Sequence, residues 1–169
     1  LQAFEELSTK ERFVLSMNHF KAKDSSEDKG NAKRETNAYH LVGALRNVTI
    51  DPDILVMGDL NCEIDESPLQ TIVNEGYVEQ LLRYDADAYS YIYRSSPQLI
   101  DHVFANLSMQ KQLTGAGVCH INTGTNRSGS WWYSDHDPYL VAMNLSSGST
   151  PEPNPNPDGC QPLDFSQDY

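Results

Sequence analysis

Two short apolar runs constrain this chain more than any other feature: Arg-Phe-Val-Leu-Ser-Met-Asn at 12–18 and Asp-Ile-Leu-Val-Met-Gly at 53–58. Both are rich in β-formers and stop at polar residues, which predicts two buried strands. Between them Ala38, Leu41, Val42 and Leu45 recur at i, i+3, i+4 and i+7, the spacing of an amphipathic helix over about 32–47. Strand, helix, strand is the resulting unit.

Downstream, Ser67-Pro68 opens and Gly76 closes an apolar-periodic stretch, which predicts a second helix at about 68–75. Further strands are expected at 89–94, 99–105, 117–122 and 138–145. Strands outnumber helices, and helices cross between some of them, so an α/β sandwich fits best. A length of 169 residues with 38% apolar content suits one domain with a real core. No run is long enough to span a bilayer, so no membrane insertion is expected. The domain is expected over 1–146. Residues 147–159 alternate proline with small polar residues and read as a linker, and 160–169 read as the start of a following segment. The opening at Leu1 looks like a cut.

The net charge is −12, and the segment from Gly148 onward contributes Glu152, Asp158, Asp164 and Asp168 with no Lys or Arg. The rest of the chain is still acidic, which argues against a passive nucleic-acid binder relying on clustered basic residues. The nearest such cluster, Lys21, Lys23, Lys29, Lys33 and Arg34, is interleaved with Asp24, Glu27, Asp28 and Glu35. If phosphates are bound, metal ions are expected to supply much of the positive charge. Cys62, Cys119 and Cys160 are too few and too scattered for a zinc pattern or a disulfide framework, and at least one is free or pairs outside the chain.

Four strand ends carry the chemistry. In Ile-Leu-Val-Met-Gly-Asp-Leu-Asn, Asp59 and Asn61 lie two residues apart, so extended geometry puts both oxygen-bearing side chains on one side. Such a pair suits a hard cation, and a Gly-Asp turn closed by an Asx hydrogen bond is the competing reading. In Gln-Leu-Ile-Asp-His-Val-Phe, Asp101 and His102 point to opposite faces, so one faces the core or a site. A carboxylate there is costly unless paired, as by an Asp-to-His hydrogen bond. Asn18-His19 ends another strand, and Asp135-His136-Asp137 opens the last. Four together suggest one polar site on a rim of the sandwich.

His19 in "NHFKAK", Asp59 and Asn61 in "GDLN", Asp101 in "IDHVF" and Asp135-His136 in "SDHDPY" resemble, in order and wording, the endonuclease/exonuclease/phosphatase superfamily. More narrowly, "GNAKRETNA", "QLTGAGVCHIN" and "SDHDPYLVAMNL" are similar to secreted bacterial extracellular nucleases of that superfamily. The resemblance runs over about residues 12–145. It implies the later half of a four-layered α/β sandwich and hydrolysis of a phosphodiester with Mg²⁺, or with Mn²⁺ or Ca²⁺ in its place.

Carried over, Asp59 and Asn61 position the attacking water, with Asp59 a base or metal neighbour. Asp101 orients His136, and His136 with His19 donates to the phosphate. Asp59, Asn61 and Asp135 are the candidate metal ligands, and Asn18, Lys21 and Lys23 the candidate substrate contacts. The implied substrate is DNA, with RNA a further candidate, and the implied location is outside a bacterial cell. A phospholipid or inositol-phosphate phosphodiesterase is the alternative enzyme, and an inactive binding fragment the alternative outside enzymes.

Two departures stand out. The superfamily's earlier strand-end Asn and its principal metal-ligand Glu have no counterpart before Leu1, so this chain alone is expected to be inactive. Its earlier half is expected as a separate chain or, failing that, a second copy of this one. The stretch "INTGTNRSGSWW" replaces the acidic loop expected after "HIN".

Overall fold

The computed structural model describes residues 1–23, 27–123 and 133–145. The expected linker at 147–159, the segment 160–169 and most of "INTGTNRSGSWW" lie outside these residues. An antiparallel pair, β1 (Gln2–Glu5) and β2 (Arg12–His19), opens the chain, with Phe4 opposite Phe13 and their rings stacked at 5.5 Å. After helix α1 (Glu27–Arg46) comes β3 (Ile54–Asp59), which runs parallel to β2 in a register that sets Val14 against Ile54 and His19 against Asp59.

Helix α2 (Ser67–Asn74) and the short elements β4 (Val78–Glu79) and α3 (Leu81–Tyr84) follow. A hairpin of β5 (Tyr91–Tyr93) and β6 (Ser96–Gln98) then leads into β7 (Asp101–Ala105). The last pair is β8 (Leu113–Val118) with β9 (Tyr139–Met143). The main sheet has the order β1-β2-β3-β7-β4, with β7 antiparallel to both β3 and β4. This is the expected α/β architecture.

Strand alternation builds a core on each face of that sheet. Val14, Val56 and Phe104 pack under α1 and α2 against Ala38, Leu41, Val42, Leu45, Leu69 and Ile72. Leu55, Val103 and Ala105 point the other way, onto Leu81, Met109, Leu113 and Ala116. Phe13, Leu15, Ile54, Val56 and Val103 do not share one uncovered face: Ile54 and Val56 lie beneath the helices, and Val103 is fully buried on the opposite side. At the β1–β2 edge Met17 is 61% and Phe4 44% exposed, while Phe13 and Leu15 are half-buried.

Several boundaries differ from the expected ones for local reasons. α1 begins at Glu27, well before 32, because its first turns carry no apolar repeat that a pattern could register. The N-cap of α2 is Glu66, and Ser67 lies inside the helix, where its hydroxyl donates to Glu35 Oε1. The strand expected at 117–122 ends at Val118, since the Asn122 and Thr123 amides bond to the Asp137 carboxylate instead of a neighbouring strand. No periodicity announces β1, β4 and α3, which are too short to show one. Cys62 is buried and free, whereas Cys119 is disulfide-bonded.

Gly58 is the tightest backbone position. Its φ is +135°, and a Cβ there would stand 1.9 Å from the Asn18 carbonyl oxygen. Gly58→Ala is therefore expected to destabilise the protein by about 2 kcal/mol or more. Gly43 lies in α1, and a Cβ added there would meet nothing within 4 Å, so Gly43→Ala is expected to gain stability. Helix propensity sets that gain at about 0.5–1 kcal/mol. Urea unfolding of both variants checks the contrast.

Candidate active site at the sheet rim

The register that pairs β2, β3 and β7 also aligns their polar ends. His19 is opposite Asp59, and Asp59 is opposite Asp101, so the three form one row across neighbouring strands. His19 Nε2 lies 3.4 Å from Asp59 Oδ2 and is largely exposed. His136 enters from the segment before β9, and its Nδ1 donates to Asp101 Oδ2 at 2.6 Å. That bond leaves Nε2 as the ring nitrogen free to face a ligand.

Buried Ser90 positions this pair. Its hydroxyl accepts the Ile100 and Asp101 amides at 3.3 and 3.1 Å, and its carbonyl accepts the Asp137 amide at 2.8 Å. Nothing in the sequence singles out Ser90, because a serine inside an expected strand carries no signal of what it joins.

The charges are arranged unevenly. Burial, helped by the charge of nearby Asp101, raises the Asp59 carboxyl above its ordinary range. The hydrogen bond that His136 donates to Asp101 raises the imidazole above its ordinary value, and the charges of Asp59 and Asp135 add to this. Tyr139, which the sequence motifs also left aside although it follows "SDHDP" directly, is pushed up to about 12 by burial and by the Asp101 charge. Asp59, Asp101 and His136 each offer a ligand atom within 4.8 Å of the others and form a group that can hold a metal ion. The donor set fits: two like-charged carboxylates, one disfavoured in its charged form, gain from a divalent cation between or beside them.

Other expected site residues fall in different places. Asn61 does not continue an extended strand: its φ is +51°, and its amide donates to Asp59 Oδ1 at 2.9 Å, the Asx turn of the competing reading. Its side-chain amide donates to the Phe20 carbonyl at 3.1 Å and ties the two rim loops together. Asp135 is exposed beside His136 in the chain and is not among the three clustered ligands. Asn18 turns back to Ser16, donating to its carbonyl and hydroxyl oxygens. Lys23 pairs with Glu66 at 2.6 Å, while Lys21 is exposed. His102, on the opposite face from Asp101 as alternation requires, is fully buried with Nε2 donating to the Cys62 carbonyl.

Asp137 is the odd member of Asp135-His136-Asp137. It is buried and accepts from the Asn122 and Thr123 amides, the Thr123 hydroxyl and His120 Nδ1. Burial pushes its carboxyl up, but the bonds from Thr123 and His120 outweigh that and hold it below the usual range. Asp137 thus anchors the 120–123 segment and does not face the ligand group.

No protein-family profile and no curated protein matches this chain. Solved structures do. An endonuclease/exonuclease/phosphatase from Bacteroides vulgatus superposes with a TM-score of 0.61 at 18% identity, covering 85% of this chain and 54% of its own. A mannosyl-6-phosphatase from Bacteroides thetaiotaomicron gives 0.59 at 17% identity, covering 82% and 54%. A Neisseria 3′ phosphatase bound to a product DNA hairpin gives 0.51 at 16% identity, covering 81% and 62%. The chain therefore has the fold of endonuclease/exonuclease/phosphatase proteins, and it spans little more than half the length of those it matches.

Two carboxylates near one histidine are expected to separate by role. Asp101→Asn should lower the His136 pKa, read by NMR titration, because the amide removes the charge that favours imidazolium. Asp137→Asn should leave that titration in place but cost about 1–3 kcal/mol of stability, since it unsatisfies buried donors. Because the folded-state pKa of Asp137 is depressed, its contribution is present above the unfolded carboxylate range and is lost as pH falls through the folded value.

Proposed function

We propose that this chain is part of a metal-dependent phosphodiesterase, an extracellular nuclease acting on DNA, with RNA as the second substrate to be tried. The observation that carries the reading is the Asp101–His136 hydrogen bond standing beside Asp59 on one sheet rim. Such a pair presents a protonated imidazole to an oxyanion, and Asp59 stands beside it as the candidate base for water.

In this scheme Asp59, steadied by the Asn61 amide, takes the proton from a water whose oxygen attacks phosphorus. His136 and His19 donate to the phosphate oxygens, whose charge grows as the ester bond breaks, and the departing oxygen takes its proton from solvent. Asp59 and Asp101, with Asp135 at the edge, would hold Mg²⁺, which supplies charge neutralisation at the phosphate. Asn18, Lys21 and Lys23 would lie along the substrate path, Lys21 as the lysine not engaged by Glu66.

The partner proposed beside the nucleic acid is the superfamily's earlier half as a separate chain, or else a second copy of this one. The β1–β2 edge, where Phe4 and Met17 are exposed, is the proposed contact. On this reading residues 147–159 link to a further segment at 160–169. The disulfide at Cys119 suits an oxidising, extracellular compartment. Among the described residues no helix is long and apolar enough to cross a membrane.

The test is hydrolysis by the intact parent protein of plasmid DNA, RNA and sphingomyelin in parallel, with and without EDTA. DNA cleavage that stops with EDTA and returns with Mg²⁺ is expected. His136→Ala and Asp135→Ala should each lower turnover about 10²–10³-fold with an unchanged melting temperature. Since Asp101 holds His136 in its protonated form to higher pH, the alkaline limb of the rate profile should move to lower pH in Asp101→Asn. Near-normal turnover in His136→Ala would overturn the assignment. Light scattering and mass spectrometry of the dissolved protein, showing this chain with a companion or paired with itself, test the missing half.

A further inference from the structure

The β5–β6 hairpin is attached directly to the rim. Tyr91 forms a backbone bridge with His136, and its ring lies 4.8 Å from the imidazole. At the base, Gln98 Nε2 donates to Glu63 Oε1 at 2.9 Å, and the Ser90 amide bonds to the Gln98 carbonyl. The hairpin is therefore held at both sides, and its tip projects from a fixed base.

The tip itself combines three features. Arg94 and Ser95 have φ of +47° and +68°, a two-residue turn that favours Asn-Gly and is strained for these side chains. Tyr93 is 49% exposed, and the Arg94 guanidinium lies 5.2 Å from its ring centroid. Finally, Lys10 and Arg12 pair with Glu5, Lys23 and Arg34 with Glu66, and Arg46 with Glu75, whereas Arg94, like Lys21, Lys33, Arg83 and Lys111, is in none of these ion pairs. Arg94 has no carboxylate partner among the described residues. A strained turn that keeps an unpaired cation on an exposed aromatic ring, in an acidic chain, is better explained by a ligand than by folding.

We propose that Tyr93 and Arg94 form a subsite for a nucleotide flanking the scissile phosphate, the base stacking on the Tyr93–Arg94 pair and the neighbouring phosphate meeting the guanidinium. Three residues at about 3.3 Å each place the tip roughly 10 Å from the Tyr91–His136 bridge, a reach suited to the next nucleotides of a strand whose phosphate sits at His136. Stacking with a cation alongside is how single strands are held without reading sequence. The subsite rests on the nuclease reading and gives it a reason to prefer a nucleic-acid strand over a small phosphate ester.

The experiment compares the intact parent protein with Arg94→Ala, Tyr93→Ala and Arg94→Gly, each on a single-stranded DNA 12-mer and on bis(p-nitrophenyl) phosphate. Loss of kcat/KM on the 12-mer should exceed loss on the small diester by about tenfold, mainly through KM. Binding of a fluorescent 12-mer in a His136→Ala background should weaken alike and show a smaller salt slope for the Arg94 variants. Arg94→Gly relieves the turn, so it should weaken binding without lowering the melting temperature. Equal losses on both substrates, or a 12-mer bound equally well by Arg94→Gly, would overturn the subsite and leave the nuclease reading standing. A parent protein that hydrolyses the small diester but neither cleaves nor binds the 12-mer would overturn both.

Discussion

The pairing register of β2, β3 and β7 is the constraint on which the rest of this structure depends. It sets His19, Asp59 and Asp101 side by side at one end of the sheet, and the same alternation sends Val14, Val56 and Phe104 beneath the helices. Because side chains alternate with a period of two, a slip of one residue would bury the polar row's neighbours wrongly and split the row between faces. Core and site are thus two consequences of one register. Gly58 permits it, since a side chain at that point would collide with the Asn18 carbonyl on the adjacent strand.

Environment, not residue type, separates the roles of the acidic side chains. Asp59 is half-buried beside another carboxylate, so its charged form is disfavoured. Asp137 is more buried, yet amide, hydroxyl and imidazole donors surround it, and its charged form is favoured. Asp135, two residues away, is exposed and adds its charge at His136. Ser90 connects these levels: one hydroxyl and one carbonyl hold the backbone before Asp101 to the backbone at Asp137, so His136 arrives within reach of its partner.

Basic residues follow the same logic. In this acidic chain several cations are drawn into ion pairs that fasten loops, as Lys23 and Arg34 are to Glu66. Such pairs contribute little stability each when exposed; their effect here is to decide which charges stay available.

Much was legible in the sequence. The two apolar runs and the repeat Ala38, Leu41, Val42, Leu45 determined the strand-helix-strand unit, because burial of an amphipathic face is written directly in residue order. Alternation also fixed that Asp101 and His102 part company, and the short motifs placed His19, Asp59, Asp101 and His136 among the candidates. Elements of two to four residues such as β4 and α3 left no period to read. Only the tertiary structure decided that Asn61 turns inward through an Asx bond, that Lys23 belongs to Glu66, that Ser90 supports Asp101, and that Asp137 anchors a loop while His136 faces the rim. The Asn61 turn is a local bond that the sequence offered as one of two readings; each of the others is a contact between residues well separated in the chain, and a linear pattern of hydrophobicity carries no term for it.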